Sequence, residues 1–280
     1  KEGAVLELEA INDGEVKNRK GVNLPDSKLR LPVITEKDAK DIRFVVGHGV
    51  DYVGLSFVGN AEDIRSARAL MAEGGLAESA LPKIVAKIER KEAVKNLNEI
   101  VHEADAVMVA RGDLGIELPE TRVAILQKEI IAASLSAVRP VIVATQMMKS
   151  MTENPRPTRA EVSDVTNAVI DHADAVMLSE ESAMGKYPVE TIRTMSEIIA
   201  STEESPFDNV YQTIGMNLRS EYATMVRSVY ELAKSYDAEI ILLMSESGFT
   251  ARLMSHFRPD SRLFVATNNA KAWNRMALFW

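Results

Sequence analysis

Five short apolar segments, rich in β-branched residues, punctuate most of the chain. They are nearly continuous rather than alternating, which is typical of parallel strands that are buried on both faces. Their starts are separated by roughly 20 to 35 residues, about the length of a β-α unit. The five predicted strands are Tyr52–Phe57, Ile84–Ile88, Ala106–Ala110, Val141–Ala144 and Ala175–Ser179.

Helical periodicity fills the intervals between these segments. Thr35 and Asn60 each precede acidic residues, as helix N-caps do. A stretch from about residue 120 to residue 137 has one apolar face, made of Val123, Leu126, Ile130 and Leu135. Alternating strands and helices predict a parallel α/β fold. Both a right-handed barrel and an open doubly wound sheet satisfy this pattern.

The pattern changes after about residue 200. The polar segment Ser201–Pro206 predicts a linker. Two further strands are predicted at Ile240–Met244 and Leu263–Ala266, which indicates a second α/β unit. Between the linker and these strands lies a predicted helix with an apolar stripe of Tyr222, Met225, Val229 and Leu232.

Both ends of the chain suggest a piece of a longer protein. Residues 1–20 alternate and include the turn signal Asn12–Gly14, which predicts the end of a hairpin from an all-β insert. The first residue is Lys1 rather than Met, and the chain ends in the apolar run Ala277–Trp280. We therefore expect a fragment.

Composition narrows the class of protein. Apolar residues make up 46% of the chain, and its net charge is −8 without a dense basic block, which disfavours nucleic-acid binding. The absence of cysteine excludes disulfides and thiolate metal sites. No segment predicts a membrane span or a signal peptide, so we expect a cytoplasmic protein with no membrane partner.

Two charged residues end the second predicted strand. Lys87 and Glu89 are two positions apart, so they share one face of the strand. Charges that follow a buried segment need either partners or a function. A salt-bridged strand end and a catalytic pair both explain them.

Polar residues recur at the ends of the next three strands. In Arg111–Gly115 the glycines allow close backbone approach, and Asp113 lies one strand away from Glu89. Two converging carboxylates suit a hard divalent cation, although an ordinary Gly-Asp turn gives the same motif. The following strand ends carry Thr145, Ser179 and Glu181. Active sites of α/β proteins lie at this edge.

The chain resembles the pyruvate kinase family. Lys83–Val94 is similar to the active-site signature of that family. Further blocks match in the same order: Gly21–Pro25, Ser56–Phe57, Met108–Gly115, Ala144–Met147 and Pro155–Glu161. The resemblance extends over essentially the whole chain.

The resemblance implies an α/β fold made of five of the eight strands of a (β/α)8 TIM barrel, followed by part of a second α/β domain. The implied divisions are a return segment of a β lid domain at 1–20, barrel strands four to eight at 21–202, a linker at 203–218 and a partial effector domain at 219–280.

The implied reaction transfers the phosphoryl group of phosphoenolpyruvate to ADP, giving pyruvate and ATP. Glu89 and Asp113 are expected to hold Mg²⁺ or Mn²⁺, and Lys87 to lie beside the phosphoryl group. Potassium ligands, if the enzyme uses that ion, would belong to a part of the protein outside this chain. The substrate carboxylate is expected near Ala110, Arg111, Gly112 and Asp113, and the proton-donating network at Thr145, Ser179 and Glu181.

The family also implies a homo-tetramer, with Arg156 and Arg159 near a subunit interface, and a sugar-phosphate activator. The activator's phosphate would bind at Ser245, Ser247, Gly248 and Thr250, although helix capping explains these residues as well. This chain has Glu180 where the family usually has glycine, and Phe249 at an often basic position.

Two other interpretations remain open on the sequence. One is an aldolase or lyase that uses the same Glu-plus-Asp metal pair on a similar barrel. The other is a non-catalytic fragment that binds metal, sugar phosphate or sister subunits, since five strands of a barrel leave an open edge.

Overall fold

The computed structural model describes residues 33–207 and 220–280, together with residues 9, 11, 13–15 and 22. Most of the lid segment expected at 1–20, most of the motif Gly21–Pro25 and most of the linker expected at 203–218 lie outside the described residues. These interpretations and the domain boundaries therefore stay predictions.

A five-stranded parallel sheet forms the first part of the fold, and its strands follow one another in chain order. The strands are β1 (Tyr52–Leu55), β2 (Lys83–Ile88), β3 (Ala106–Ala110), β4 (Val141–Ala144) and β5 (Ala175–Met177). A doubly wound sheet reverses its strand order at a switch point, whereas here each new strand joins the same edge. This order favours the barrel over the doubly wound alternative. Two strands end two residues before their predicted limits.

Nine α-helices accompany this sheet within the described part of the chain. The predicted N-caps Thr35 and Asn60 both form capping boxes, which confirms two helix starts. The helices are α1 (Glu36–Gly47), α2 (Ala61–Ala72), α3 (Lys91–Lys95), α4 (Leu97–Glu103), α5 (Arg111–Glu117), α6 (Glu120–Ser136), α7 (Arg159–Ile170), α8 (Glu180–Ala183) and α9 (Pro188–Glu203). None of the described helices is both long and apolar enough to cross a bilayer.

The two faces of the sheet belong to different apolar clusters. Ile84 and Ile88 of β2 belong to the large core that also contains helix residues. Val85, one position away, belongs to a small cluster with Ala106 and Ile142 of β3 and β4. Because side chains alternate along a strand, every second residue of β2 from Val85 onward faces this inner cluster. Lys87 therefore lies on the inner face, and Glu89, directly after the strand, continues the same alternation.

A second, two-stranded parallel sheet lies towards the end of the chain. Its strands are β6 (Ile240–Met244) and β7 (Arg262–Ala266), and its helices are α10 (Glu221–Ser235), α11 (Phe249–Ser255) and α12 (Ala270–Met276). The first and last residues of both strands differ by at most one position from those that the sequence predicted.

The face of α10 that contacts the core differs from the predicted stripe. Tyr222, Met225 and Leu232 are exposed, so the predicted stripe is wrong, and Val229 is only partly buried. The buried face is instead formed by Ala223, Val226, Tyr230 and Ala233. The helix carries two apolar stripes, and the two small alanines of the buried stripe allow closer packing of its backbone against the neighbouring core, to which α11 and β6 contribute.

The second unit contacts the loops that precede the barrel strands. Arg258 donates to the carbonyl oxygens of His172 and Ala173, at 2.6 and 2.9 Å, just before β5. Arg275 donates to the carbonyl of Leu81 at 2.7 Å, just before β2. These contacts lie at the amino edge of the sheet, so the opposite, carboxyl edge stays clear of them.

The start of α7 provides a pH-dependent stabilising contact. Glu161 accepts hydrogen bonds from the backbone and hydroxyl of both Ser150 and Thr158. Partial burial alone would raise the pKa of Glu161, but these hydrogen bonds outweigh it and lower the pKa below the ordinary value of 4.5. A lowered pKa stabilises the fold above the ordinary value, and this stabilisation is lost as the pH falls through the folded-state pKa.

We expect Glu161→Gln to lower the free energy of unfolding by about 1 kcal/mol near pH 7, as for the loss of a helix cap. The difference from the wild type should shrink as the pH falls below the ordinary value, because both side chains are then uncharged. Urea unfolding at several pH values measures this, with Glu197→Gln on an exposed face of α9 as the matched control. A difference that does not change with pH would contradict the role of the charge.

Candidate active site

The inner face of β2 ends in a buried ion pair. The Glu89 side chain is only 1% exposed, and its Oε1 lies 2.5 Å from Lys87 Nζ. Its other oxygen, Oε2, accepts a hydrogen bond from the backbone N–H of Phe57 at 2.6 Å. Lys87 Nζ also donates to Ser56 Oγ at 2.9 Å. Two carboxylate oxygens and one ammonium group are thus held together at the carboxyl edge of the sheet.

The backbone after β1 is shaped to reach this carboxylate. Phe57 has a φ of 57°, a left-handed conformation that is uncommon for a bulky residue. Such a conformation costs about 1–3 kcal/mol and persists only where the surroundings enforce it. The hydrogen bond from Phe57 to Glu89 is one interaction that stabilises it.

Strand β3 runs directly into α5 beside this pair. The register pairs Ile88 with Val109, so Glu89 lies next to Ala110, the N-cap of α5. Asp113 is in the first turn of α5, where a negative charge interacts favourably with the helix dipole. Within the described residues, the Asp113 carboxylate makes no hydrogen bond or ion pair. The two predicted metal ligands therefore lie at the same edge of the sheet: Glu89 directly follows β2, and Asp113 lies in the helix that follows the neighbouring strand β3.

The residues fit a divalent cation of the hard, oxygen-binding kind. Among the described residues, no group of three or more histidine or carboxylate side chains could form a complete protein cage. Mg²⁺ and Mn²⁺ sites commonly use one or two carboxylates, with water and substrate oxygens completing the shell. The pair of Glu89 and Asp113 matches that donor set.

The turn after β4 is held by α5. Thr145 and Gln146 have φ values of 69° and 55°, so two successive non-glycine residues are left-handed. The backbone N–H of Gly112 donates to Thr145 Oγ1 at 2.8 Å. The Arg111 guanidinium donates to the Thr145 carbonyl from Nε and Nη2, at 3.2 and 2.7 Å. Both the hydroxyl and the carbonyl of Thr145 are therefore fixed from β3–α5.

The turn after β5 is tied to β4 by a second buried carboxylate. Glu181, only 2% exposed, accepts from the backbone N–H of Ser179 at 2.8 Å and of Met148 at 3.2 Å. The unusual Glu180 points elsewhere, because its carboxylate lies 3.3 Å from Lys149 Nζ in an exposed ion pair. Its negative charge is partly neutralised there.

The predicted effector-phosphate residues follow β6 and begin α11. Gly248 is the N-cap residue and has a φ of 81°, which favours glycine. Ser247 Oγ accepts a long hydrogen bond of 3.4 Å from the backbone N–H of Phe249, but the N-cap residue itself, Gly248, has no side chain to cap the helix. The Arg252 guanidinium lies 5.5 Å from the centre of the Phe249 ring. Ser245 is buried, and Thr250 lies in the first turn.

Two polar partners of Arg111, Asp164 and Gln127, were not singled out by the sequence. Asp164 of α7 and Gln127 of α6 both accept from Arg111 Nη1, and Met147 Sδ accepts from Nη2 at 2.8 Å. The only signal that the sequence offers for these contacts is a polar residue on the inner face of a helix. That signal does not show that the residue contacts Arg111.

Comparisons with known proteins agree with this geometry. The family described as "Pyruvate kinase, barrel domain" matches residues 1–192, and "Pyruvate kinase, alpha/beta domain" matches residues 223–280. A pyruvate kinase of Agaricus bisporus is 43% identical over 99% of this chain and 52% of its own length. For a pyruvate kinase of Naumovozyma castellii the values are 44%, 97% and 54%.

A solved structure gives the same result. The crystal structure of a pyruvate kinase from Cryptosporidium parvum aligns with a TM-score of 0.86 at 36% identity, over 92% of this chain and 54% of that one. The chain thus spans about half the length of the relatives it matches. The barrel and the α/β unit are both confirmed, and the chain belongs to the pyruvate kinase family.

Proposed function

We propose that this chain carries the metal- and enolpyruvate-binding half of a pyruvate kinase active site. The observation that carries the proposal is the ion pair between the partly buried Lys87 and the buried Glu89, which lies at the carboxyl edge of the sheet beside α5 and its Asp113. The overall reaction would be phosphoenolpyruvate and ADP to pyruvate and ATP, a step of glycolysis in the cytoplasm.

Glu89 and Asp113 are the proposed ligands of Mg²⁺ or Mn²⁺. When bound, the ion would supply positive charge to the enolate, carboxylate and phosphoryl oxygens of the substrate. Glu89 is buried and its oxygens already accept from Lys87 and Phe57, so its position is set before any ligand arrives. Potassium dependence remains a proposal without ligands assigned in this chain.

Lys87 is the proposed stabiliser of the transferring phosphoryl group. Its ammonium is held between Ser56 and Glu89 at the edge where the substrate would lie. Phosphoryl transfer depends mainly on positioning and on neutralising charge spread over the phosphoryl oxygens. A positioned ammonium group provides both without taking part in covalent chemistry.

Backbone amides at the start of α5 are the proposed contacts of the substrate carboxylate, from Ala110 through Asp113. Helix N-termini present unpaired N–H groups that attract anions. The Gly112 amide donates to Thr145 Oγ1, so the amides of Arg111 and Asp113 are the better candidates for the carboxylate.

Thr145 is the proposed residue at the methylene carbon of the enolpyruvate. Its hydroxyl oxygen accepts from Gly112, which leaves its own O–H to donate towards the substrate. Ser179 and Glu181 would support this proton-donating network from the next strand.

The proposal extends to the whole protein in three respects. ADP binding, a homo-tetramer with Arg156 and Arg159 near an interface, and a sugar-phosphate activator at the Ser245–Thr250 loop follow from the family. The Phe249 position weakens the last of these, since it replaces an often basic side chain with an apolar one.

The first prediction concerns the metal. We expect Mn²⁺ to bind the wild-type chain, and oxalate, a mimic of enolpyruvate, to tighten that binding. Glu89→Gln should weaken Mn²⁺ binding by at least about 100-fold, because a charged ligand is replaced by a neutral amide. Electron paramagnetic resonance of free Mn²⁺ measures this, with Glu129→Gln on the exposed face of α6 as the matched control.

Two outcomes would count against this assignment. Unchanged Mn²⁺ affinity in Glu89→Gln would remove Glu89 from the ligand set. A folded wild-type chain that binds no Mn²⁺, with or without oxalate, would reject the half-site proposal for this chain.

The second prediction concerns the proton. Enolisation of bound pyruvate exchanges its methyl protons with solvent, and this half-reaction needs no ADP. We expect Thr145→Val to slow metal-dependent exchange by about 100-fold or more, in the range of lost acid–base assistance. Thr145→Ser should retain most of the rate.

Deuterium incorporation into pyruvate, followed by proton NMR, gives the rate. The dissociation constant of Mn²⁺ in the presence of oxalate should remain within about threefold of the wild-type value in both variants, because Thr145 is not a proposed metal ligand. Equal exchange rates in the valine and serine variants would show that the hydroxyl has no part in proton transfer.

A further inference from the structure

Two left-handed residues in succession make the turn after β4 costly to maintain. Thr145 is β-branched, for which a positive φ is a genuine outlier, and Gln146 follows it with the same handedness. Such conformations are strained, so interactions from outside the turn must stabilise it. The Thr145 carbonyl and hydroxyl are both bound from the β3–α5 junction.

Arg111 is the main external support of this turn. Its side chain is 9% exposed, and all three guanidinium nitrogens donate within the protein. Nε and Nη2 both point to the Thr145 carbonyl, so the planar fork fixes the direction of that group. The third nitrogen, Nη1, donates to Asp164 and Gln127, which further restrains the rotation of the guanidinium.

Asp164 is the charged partner of Nη1. Both of its carboxylate oxygens lie 2.7 Å from Arg111 Nη1, and it is the only carboxylate paired with Arg111 among the described residues. Gln127 is a weaker neutral partner at 3.3 Å. Asp164 therefore neutralises a nearly buried guanidinium and sets its rotation.

We propose that Asp164 of α7 is a positioning residue, which acts through Arg111 to hold the Thr145–Gln146 turn and so aims the Thr145 hydroxyl. Asp164 touches no proposed substrate atom. Its catalytic consequence rests on the proposed function of Thr145, whereas its effect on the turn does not. Asp164 would thus couple a helix on the outside of the barrel to the proton-donating position.

The structural part is tested by amide hydrogen exchange. Loss of the charge in Asp164→Asn should lower the protection of the Gly112 amide by at least about tenfold, since its acceptor is Thr145 Oγ1. The amide of Ile88 in β2 should keep its protection. Asp164→Glu, which retains the charge, should restore part of the Gly112 protection.

The catalytic part is tested by the two half-site measurements. Asp164→Asn should slow methyl-proton exchange of pyruvate by about 10- to 100-fold, comparable to a lost charge-assisted hydrogen bond. Binding of Mn²⁺ with oxalate should stay within about threefold, because the metal ligands are elsewhere. Thr35→Ala, which removes the N-cap of α1, serves as a destabilised control that leaves both measurements unchanged.

The outcomes separate this inference from the function on which it builds. Unchanged Gly112 protection in Asp164→Asn overturns the positioning role, and so does a loss of protection shared equally by Ile88. If the wild type binds no Mn²⁺ with oxalate, the proposed function fails, but the Gly112 measurement still decides whether Asp164 holds the turn. Equal loss of metal binding and proton exchange would indicate general damage to the site and would also overturn the inference.

Discussion

The structure depends on one constraint, which is that parallel strands with both faces covered leave little room for charge except at their ends. In β2 the apolar residues alternate between two clusters, and its charged residues, Lys83 and Lys87, lie towards its two ends. Lys87 and Glu89 then satisfy each other within 2.5 Å. The same constraint acts on β3, β4 and β5, so the polar residues of four strands gather at one edge.

The two edges of the sheet consequently serve different purposes. The carboxyl edge gathers carboxylates, an ammonium group and free amides, and its turns contain the left-handed residues Phe57, Thr145 and Gln146. The amino edge is bound by arginines of the second unit and carries none of the proposed chemistry. Left-handed residues also occur just before β4 and β5, at Val138 and His172, so strained backbone is present at both edges of the sheet.

The sequence was sufficient to predict features that depend on local chemistry. Strand positions, the capping boxes at Thr35 and Asn60, and the recurrence of polar residues at strand ends all follow from patterns within a few residues. The prediction of the buried face of α10 was wrong, because the helix has two apolar stripes and only its tertiary contacts determine which of them is buried. The sequence also failed to indicate the role of Asp164, because the partner of a helix carboxylate can lie 53 positions away and leaves no mark on the local pattern. The ion pair that Glu180 forms with Lys149 could not be predicted from the sequence, because it depends on where the fold places Lys149. Distant pairings of this kind are properties of the fold.

The contacts at the amino edge have a consequence for how this protein can change over time. Arg258 and Arg275 donate hydrogen bonds to backbone carbonyl oxygens at His172, Ala173 and Leu81. Every amino acid offers the same carbonyl, so substitutions at the acceptor positions leave these hydrogen bonds intact. At these hydrogen bonds the requirement for a particular side chain falls on the arginines, so the acceptor positions can change without breaking them. The ion pair of Arg258 with the Asp174 side chain, at 4.0 Å, does depend on the identity of its partner.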